Sequence, residues 1–383
     1  MRSGEHRALH GHPWVFRGEL REVPADLQPA EIVQVEDMRG HIVGAGYANP
    51  ASSILVRLLT RGTALPSPDW AKAQLLRAIA RRKERMGDVP DLRLVHSEAD
   101  GLPGLVVERI AGYAIVSPDT LGAEELLLPW LLPEIEALAP NGVVLRALAP
   151  IRQREGLAPR LEMLRGRAPQ APVVAQEGDI RYEVDLFGGQ KTGHYFDQRE
   201  NRALCRSLAA GRRVLDVFSY TGGFAIAAAL GGASEVMAVD SSEEALQTLE
   251  RNAALNGAAV AVREENAFDL LRQLVRDKEQ YDLIVLDPPP FARGKDHLDA
   301  ALRAYKEINL RAMRLLAPGG YLLTASCSHA VSLADFLAVV DDAAQDAGVP
   351  LTRIAVRGPA PDHPVRVEVP ESDYLHLLAL QRD

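Results

Sequence analysis

The sequence predicts an α/β protein whose last half is a doubly wound, mainly parallel sheet, preceded by a small all-β barrel and a central α+β segment. Three observations carry this. From about residue 200 onward, apolar β-rich runs alternate with helical patterns at regular spacing, as consecutive βα units require. Residues 1–65 hold only short strand patterns cut by Gly, Pro and Asn turns. The stretch between them mixes the two periods. At 383 residues the chain exceeds one ordinary core. The predicted domains are 1–65, 66–185 and 186–383.

In the first segment, IVQVED, HIVGAGYA and SILVRLL are the strands. The break ALPSPDW follows, with Ser67-Pro68-Asp69 a start signal for the helix AKAQLLRAIARRKERMG and Gly87 its stop. In the middle segment, RLVHSEADGLPGLVVERI reads as two strands about an Asp-Gly and a Pro-Gly turn, and YAIVSP as a third. The helical stretch EELLLPWLLPEIEAL, the strand GVVLRAL and strands within VVAQEGDIRYEVDLF complete it. His96 and Asp100 read as turn and strand residues rather than ligands. The last segment runs VLDVF, FAIAAAL, EVMAVD, EEALQTLERNAALNG, VAVREENAF, DLLRQLVRD and DLIVLDPPP, then a helix around AALRAYKEINLRAMRLL, GGYLLTASCS and ADFLAVVDDAAQDAG. LTRIAVRG and DYLHLLALQR close the chain as an antiparallel edge, because no helix separates them.

Composition narrows the class. The N-terminus lacks the apolar run of a signal peptide, and no stretch approaches the roughly 18 to 20 apolar residues that span a bilayer. Two cysteines, Cys205 and Cys327, exclude a disulfide framework and a four-cysteine zinc site, and no metal is expected. A reducing cytoplasm fits this usage. The formal net charge of −9 argues against a nucleic-acid partner, although Arg77, Arg81, Arg82, Lys83 and Arg85 cluster on one predicted helix. The plain reading of that cluster is a solvated helical face.

Chemistry-bearing residues gather where the strands of the last segment end. Ligands of such sheets bind outside the carboxyl ends of the strands. After VLDVF, which contains Asp216, the turn Phe218-Ser219-Tyr220-Thr221-Gly222-Gly223 opens a helix, and its glycines let the backbone approach a ligand. It is not G-x-G-x-x-G, so dinucleotide binding is weakly supported. Asp240, followed by Ser241, ends the second strand where a carboxylate accepts ribose hydroxyls. The plain alternative for Asp240 is a helix cap before SSEEAL. Asn266 and Ala267 end the third strand, with Asn266 placed to read an adenine amino group and Phe268 to pack nearby. NAD and S-adenosylmethionine share that nucleoside.

The ordered segments DVFSYTGGF, AVDSS, NAF and LDPPPF resemble motifs of class I S-adenosylmethionine methyltransferases, whose sheet is Rossmann-like. That resemblance implies S-adenosylmethionine as cofactor and S-adenosylhomocysteine as product. Asp287-Pro288-Pro289, with Phe291 beyond, is the discriminating element; in similar enzymes the acidic-Pro-Pro segment lines the target-base pocket.

Methylating C5 of a pyrimidine needs prior activation, because that carbon is a poor nucleophile. A thiolate adding to C6 supplies it. Cys327, in Thr324-Ala325-Ser326-Cys327-Ser328, follows the fifth strand of the sheet and so shares a rim with Asp287. Its plain alternative is a small buried residue. A neighbour such as His329 is a candidate to ionise it. Cys205 lies among apolar neighbours in a helical run and is expected to be inert. The SCS segment resembles motif VI of RNA cytosine-C5 methyltransferases. Many of those carry a second cysteine where this chain has Pro290, so the C5 proton must pass to water or to Asp287.

The segment GQKTGHYFDQR, with GHPWVF, SEADGLPGLVVER and DHPV…PESDYL, resembles the bacterial ribosomal RNA large-subunit methyltransferase I family across nearly the whole chain. The resemblance implies a PUA RNA-binding domain first, a dimer, and 23S ribosomal RNA or a large-subunit precursor as partner. From the residues themselves, Phe196 and Gln198 are placed to flank the cofactor and Lys191 and Arg199 to face an acidic partner, the plain alternative being an interdomain hairpin; the resemblance puts Trp14 and Arg17 in the RNA-binding domain, where Trp14 either stacks on a base or packs in the core. Two enzyme alternatives stand beside this reading: a uracil-C5 enzyme and one acting on a purine nitrogen. A third is a non-catalytic RNA-binding assembly factor.

Overall fold

The structure, a computed structural model, describes residues 7–188, 194–292 and 297–383. Its contacts group the chain into two units. One holds Met1–Gln176, Val184–Phe196 and Pro361–Ser372; the other holds Glu177–Glu183, Asp197–Ala360 and Asp373–Asp383.

In the first unit, β1 (Trp14–Phe16), β2 (Ile32–Glu36), β3 (Ile42–Ala48) and β4 (Ile54–Arg61) form an antiparallel sheet in the order β1-β4-β3-β2. Gly46 is dictated by strand approach, since a Cβ there would lie 1.9 Å from the Arg57 carbonyl oxygen across the ladder. Helix α1 (Pro68–Met86) starts where expected: the Ser67 hydroxyl accepts from the Trp70 amide, Pro68 fills the first turn, and Gly87 ends it at φ 74°.

A five-stranded sheet follows, ordered β5 (Leu92–His96), β6 (Leu105–Ile110), β7 (Tyr113–Pro118), β8 (Gly142–Ala147) and β9 (Arg160–Gly166). Helix α2 (Leu128–Ala137) packs its Leu131 and Ile135 with Leu75 of α1 on the face bearing Leu94, Val107, Val116 and Leu145. The short α3 (Ile151–Arg154) precedes β9. Strand β9 is not visible in the sequence pattern, because an edge strand with mostly exposed residues shows no apolar alternation. The basic cluster of α1 is partly structural. Arg82 is buried and makes a two-pronged ion pair with the buried Asp100, which Arg81 also reaches at 2.6 Å.

Strands β10 (Val173–Glu177) and β11 (Ile180–Val184) form a hairpin where the chain passes from one unit to the other. The second unit then alternates as predicted: α4 (Arg199–Leu208), β12 (Arg213–Val217), α5 (Gly223–Leu230), β13 (Glu235–Asp240), α6 (Glu243–Asn256), β14 (Ala261–Glu264), α7 (Ala267–Asp277), β15 (Tyr281–Leu286), α8 (Leu298–Leu315), β16 (Leu316–Ser326) and α9 (Leu333–Ala347). The closing strands β17 (Leu351–Arg357) and β18 (His376–Arg382) are antiparallel neighbours. The sheet order is β14-β13-β12-β15-β16-β18-β17, so the last strand enters between β16 and β17. Both sheet faces are covered, by α7, α8 and α9 on one and by α4, α5 and α6 on the other, which is why its strands read as continuous apolar runs. The strand order reverses between β12 and β15, and the loops there form the crevice where such sheets bind ligands.

Candidate active site

The loop after β12 is held in an unusual backbone conformation. Phe218, Tyr220 and Gly222 have φ of 66°, 47° and 92°, three left-handed residues within five. Such strain persists only where the surroundings over-determine it. Here the Ser219 amide donates to the Val239 carbonyl at 2.9 Å, the Tyr220 amide to Asp240 Oδ2 at 2.9 Å, and Asn252 Nδ2 to the Thr221 carbonyl at 3.1 Å. A Cβ on Gly222 would lie 2.6 Å from Leu249 Cγ. Gly223 then begins α5.

Asp240 also accepts from the Ser242 amide at 3.0 Å, while the cap of α6 is Ser242 itself. Asp240 is therefore a loop organiser rather than the helix cap. Ser241 beside it is exposed. Asn266 caps α7: its side-chain oxygen accepts from the Phe268 and Asp269 amides, and Ala267 is buried as the first helical residue. That oxygen is thus engaged in the cap, which the motif reading did not foresee.

Asp216 is buried, with Oδ2 accepting from the Ala225 amide at 2.9 Å and Oδ1 enclosed without a hydrogen-bond partner. Burial, then the nearby charge of Asp287 and that of Asp240, push its carboxyl well above the usual carboxylate range. An enclosed acceptor beside two further carboxylates fits a ligand that brings positive charge and a donor.

Asp287 follows β15 directly. Its Oδ1 accepts from Gln198 Nε2 at 2.8 Å. Gln198 is itself held, its Oε1 accepting from Asn201 Nδ2 at 2.6 Å, and Asn201 Oδ1 accepts from Arg357 Nε at 3.1 Å. The next residue after Asp287, Pro288, is buried, and its carbonyl oxygen lies 3.7 Å from the sulfur of Cys327. Pro289 is exposed, and Phe291 is half-buried with its ring 6.3 Å from that of Phe218. Cys327 is partly exposed at the end of β16. The structure therefore brings Asp216, Asp240, Asp287, Pro288 and Cys327 to the carboxyl ends of β12, β13, β15 and β16. His329 is exposed, with its ring 5.4 Å from that of Tyr374, whose hydroxyl donates to Asp197 at 2.6 Å. Cys205 is fully buried, and burial together with the charge of Asp216 pushes its thiol well up.

Arg199 is buried rather than turned to solvent, because α4 presents that position inward. Phe196 belongs to the first unit, where its ring packs with Ile110, Ile115, Val144 and Leu186. Lys191 lies outside the described residues. Trp14 is half-buried, its indole N–H donating to Glu98 at 2.9 Å, and exposed Arg17 donates to the Pro50 carbonyl at 2.7 Å. Sequence reasoning missed Asn201, Asn252 and Arg357, because polar residues that brace a site from below carry no periodic signal.

Residues 152–364 match the S-adenosylmethionine-dependent methyltransferase family, and residues 1–61 match the PUA-like domain. A protein of Shewanella frigidimarina named ribosomal RNA large subunit methyltransferase I is 38% identical over 387 residues, covering 98% of this chain and 96% of the relative. The protein of that name from Klebsiella pneumoniae is 35% identical over 381 residues, covering 97% and 94%. Among solved structures, SMU.776, crystallised with SAH, superposes with a TM-score of 0.81 at 19% identity, covering 98% of this chain and 97% of that one. At that identity the likeness is one of fold.

Proposed function

This chain belongs to the ribosomal RNA large subunit methyltransferase I family of S-adenosylmethionine-dependent methyltransferases, and on that premise we propose that it methylates C5 of a cytosine in 23S ribosomal RNA through Cys327. The observation that carries the proposal is Cys327, a partly exposed residue whose sulfur lies 3.7 Å from the carbonyl of Pro288 in the Asp-Pro-Pro segment. A purine-nitrogen enzyme has no use for a thiol there.

S-adenosylmethionine supplies an electrophilic methyl group on a positively charged sulfur. Asp216 Oδ1 would receive the ligand's ammonium, and Asp240 the ribose hydroxyls. Since the Asn266 oxygen is spent in the cap, its Nδ2 would be the group that donates to a ring nitrogen of adenine. The target base enters over Pro288, Pro289 and Phe291. Cys327 gives its proton to solvent water, and the thiolate forms a bond to C6, making C5 electron-rich. C5 would take the methyl group as its bond to the donor sulfur breaks and S-adenosylhomocysteine is left; the C5 proton then goes to water or to Asp287, and the C6–S bond breaks to restore aromaticity and the thiolate. Asp287, its carboxylate fixed by Gln198, would accept from the exocyclic amine and so hold the base in place. The PUA-like residues 1–61 supply an RNA-binding module, which answers the objection of the acidic net charge because charge placement, not the sum, sets RNA contact.

Cys327→Ala tests the mechanism. It is expected to abolish methyl transfer to ribosomal RNA while leaving S-adenosylmethionine affinity unchanged. Methyl transfer at the wild-type rate would overturn the cysteine mechanism and favour a purine-nitrogen target.

A further inference from the structure

Tyr305 of α8 is fully buried, yet its hydroxyl is the centre of a polar contact rather than a lost one. Ser326 Oγ donates to it at 3.0 Å, and Ser328 Oγ lies 3.0 Å away. These serines flank Cys327 on either side, and both are fully buried whereas Cys327 is not. The Ser328 amide also donates toward Ser326 Oγ at 3.5 Å. Three oxygens therefore close a buried clip behind the nucleophile.

The clip decides where the thiol points. At the end of an extended strand, alternate side chains face opposite ways. With the residues before and after tied inward to one phenol, the residue between them projects outward, toward Pro288. The phenol itself is fixed: its ring centroid lies 4.8 Å from that of Phe291 and 5.4 Å from that of Phe336. Burial above all keeps the hydroxyl neutral by pushing its pKa up to about 12, so it can accept from one serine and donate to the other.

We propose that Tyr305 is a positioning residue for Cys327, its buried hydroxyl clasping Ser326 and Ser328 and so aiming the thiol at the target base. This rests on the reading of Cys327 as nucleophile. A core tyrosine that served packing alone would need its ring and not its oxygen. Tyr305→Phe separates the two, because it keeps the ring and removes the clasp.

The probe is a 23S ribosomal RNA transcript carrying 5-fluorocytidine. Fluorine cannot leave C5 as a proton does, so the enzyme stays bonded to C6 and the adduct is counted on a denaturing gel and mapped by mass spectrometry. Wild type is expected to form the adduct at Cys327. Tyr305→Phe should form it about 10- to 100-fold more slowly, the scale of a small misplacement of a reacting group. S-adenosylmethionine affinity and the KM for RNA should stay unchanged, so that the loss falls on kcat. Ser326→Ala and Ser328→Ala, each leaving one arm of the clip, should give intermediate rates and serve should Tyr305→Phe fail to fold. Wild-type adduct rates in all folded clip variants would overturn the positioning role while leaving Cys327 as nucleophile. No wild-type adduct at Cys327 would overturn the nucleophile, and the positioning role with it.

Discussion

Replacing Asp216 by Asn changes one charge and almost no volume, and its effects on stability and on binding have opposite signs. One oxygen of Asp216 is satisfied by the Ala225 amide at 2.9 Å, and the other is enclosed without a partner. Burial, and then the charges of Asp287 and Asp240, hold its folded pKa well above the usual carboxylate value. A carboxyl raised in the folded state contributes stability that is complete below its unfolded pKa and is lost as pH rises through the folded one. Asn does not titrate, so Asp216→Asn should lack that decline and be at least as stable as wild type, without ligand, on the alkaline side of the window. Binding runs the other way, because the ligand's ammonium pairs with the ionised form. Wild-type affinity for S-adenosylmethionine should climb by up to about tenfold per pH unit below the folded pKa and then level off, up to the pKa of the ligand's own amine. A hydrogen bond to a charged group contributes about 1.5–3 kcal/mol, so Asp216→Asn should weaken binding about 10- to 150-fold and flatten the pH profile. Isothermal titration calorimetry over the pH range in which the protein stays folded reads both. Wild-type affinity with a wild-type pH slope in Asp216→Asn would refute the assignment of Oδ1 to the ammonium.

Two further perturbations test the scaffold. Gly222→Ala must place a Cβ 2.6 Å from Leu249 Cγ at a φ of 92°; left-handed strain of about 1–2 kcal/mol plus overpacking of about 1–3 kcal/mol should lower the Tm and weaken S-adenosylmethionine together, as thermal melting with and without ligand would show. In the first unit, Glu155 accepts from Arg57 at 2.9 Å, Ser52 at 2.7 Å and Asn49 at 2.9 Å, with the Arg57 and Glu155 side chains only 4% and 1% exposed. Glu155→Ala strands a buried guanidinium, and urea denaturation should report a loss of about 3–5 kcal/mol.

The second unit was legible because its strands are buried on both faces and its helices on one, so composition and period both speak. The rim was legible for the same reason: Asp216, Asp240, Asp287 and Cys327 are each placed by the end of an apolar run. What stayed hidden is what periodicity cannot encode. Strand β9 is an exposed edge held by its ladder to β8 rather than by an apolar face. Arg199 reads as a surface cation, yet the helix it opens turns it inward. Gln198 reads from the sequence as a neighbour of the cofactor, but that its amide holds Asp287, with Asn201 and Arg357 behind it from distant parts of the sequence, has no sequence signal. Tyr305 carries no motif signal, because the meaning of its oxygen comes only from the two serines that the fold sets beside it.

The central claim is that a thiol and a methyl donor meet over the C5–C6 bond of one cytosine. It is tested most directly by incubating the purified protein with 23S ribosomal RNA and methyl-labelled S-adenosylmethionine, digesting the RNA to nucleosides and identifying the labelled one by mass spectrometry. The account predicts 5-methylcytidine. Label on a purine nitrogen would contradict it outright, and 5-methyluridine would keep Cys327 but move the target to the other pyrimidine.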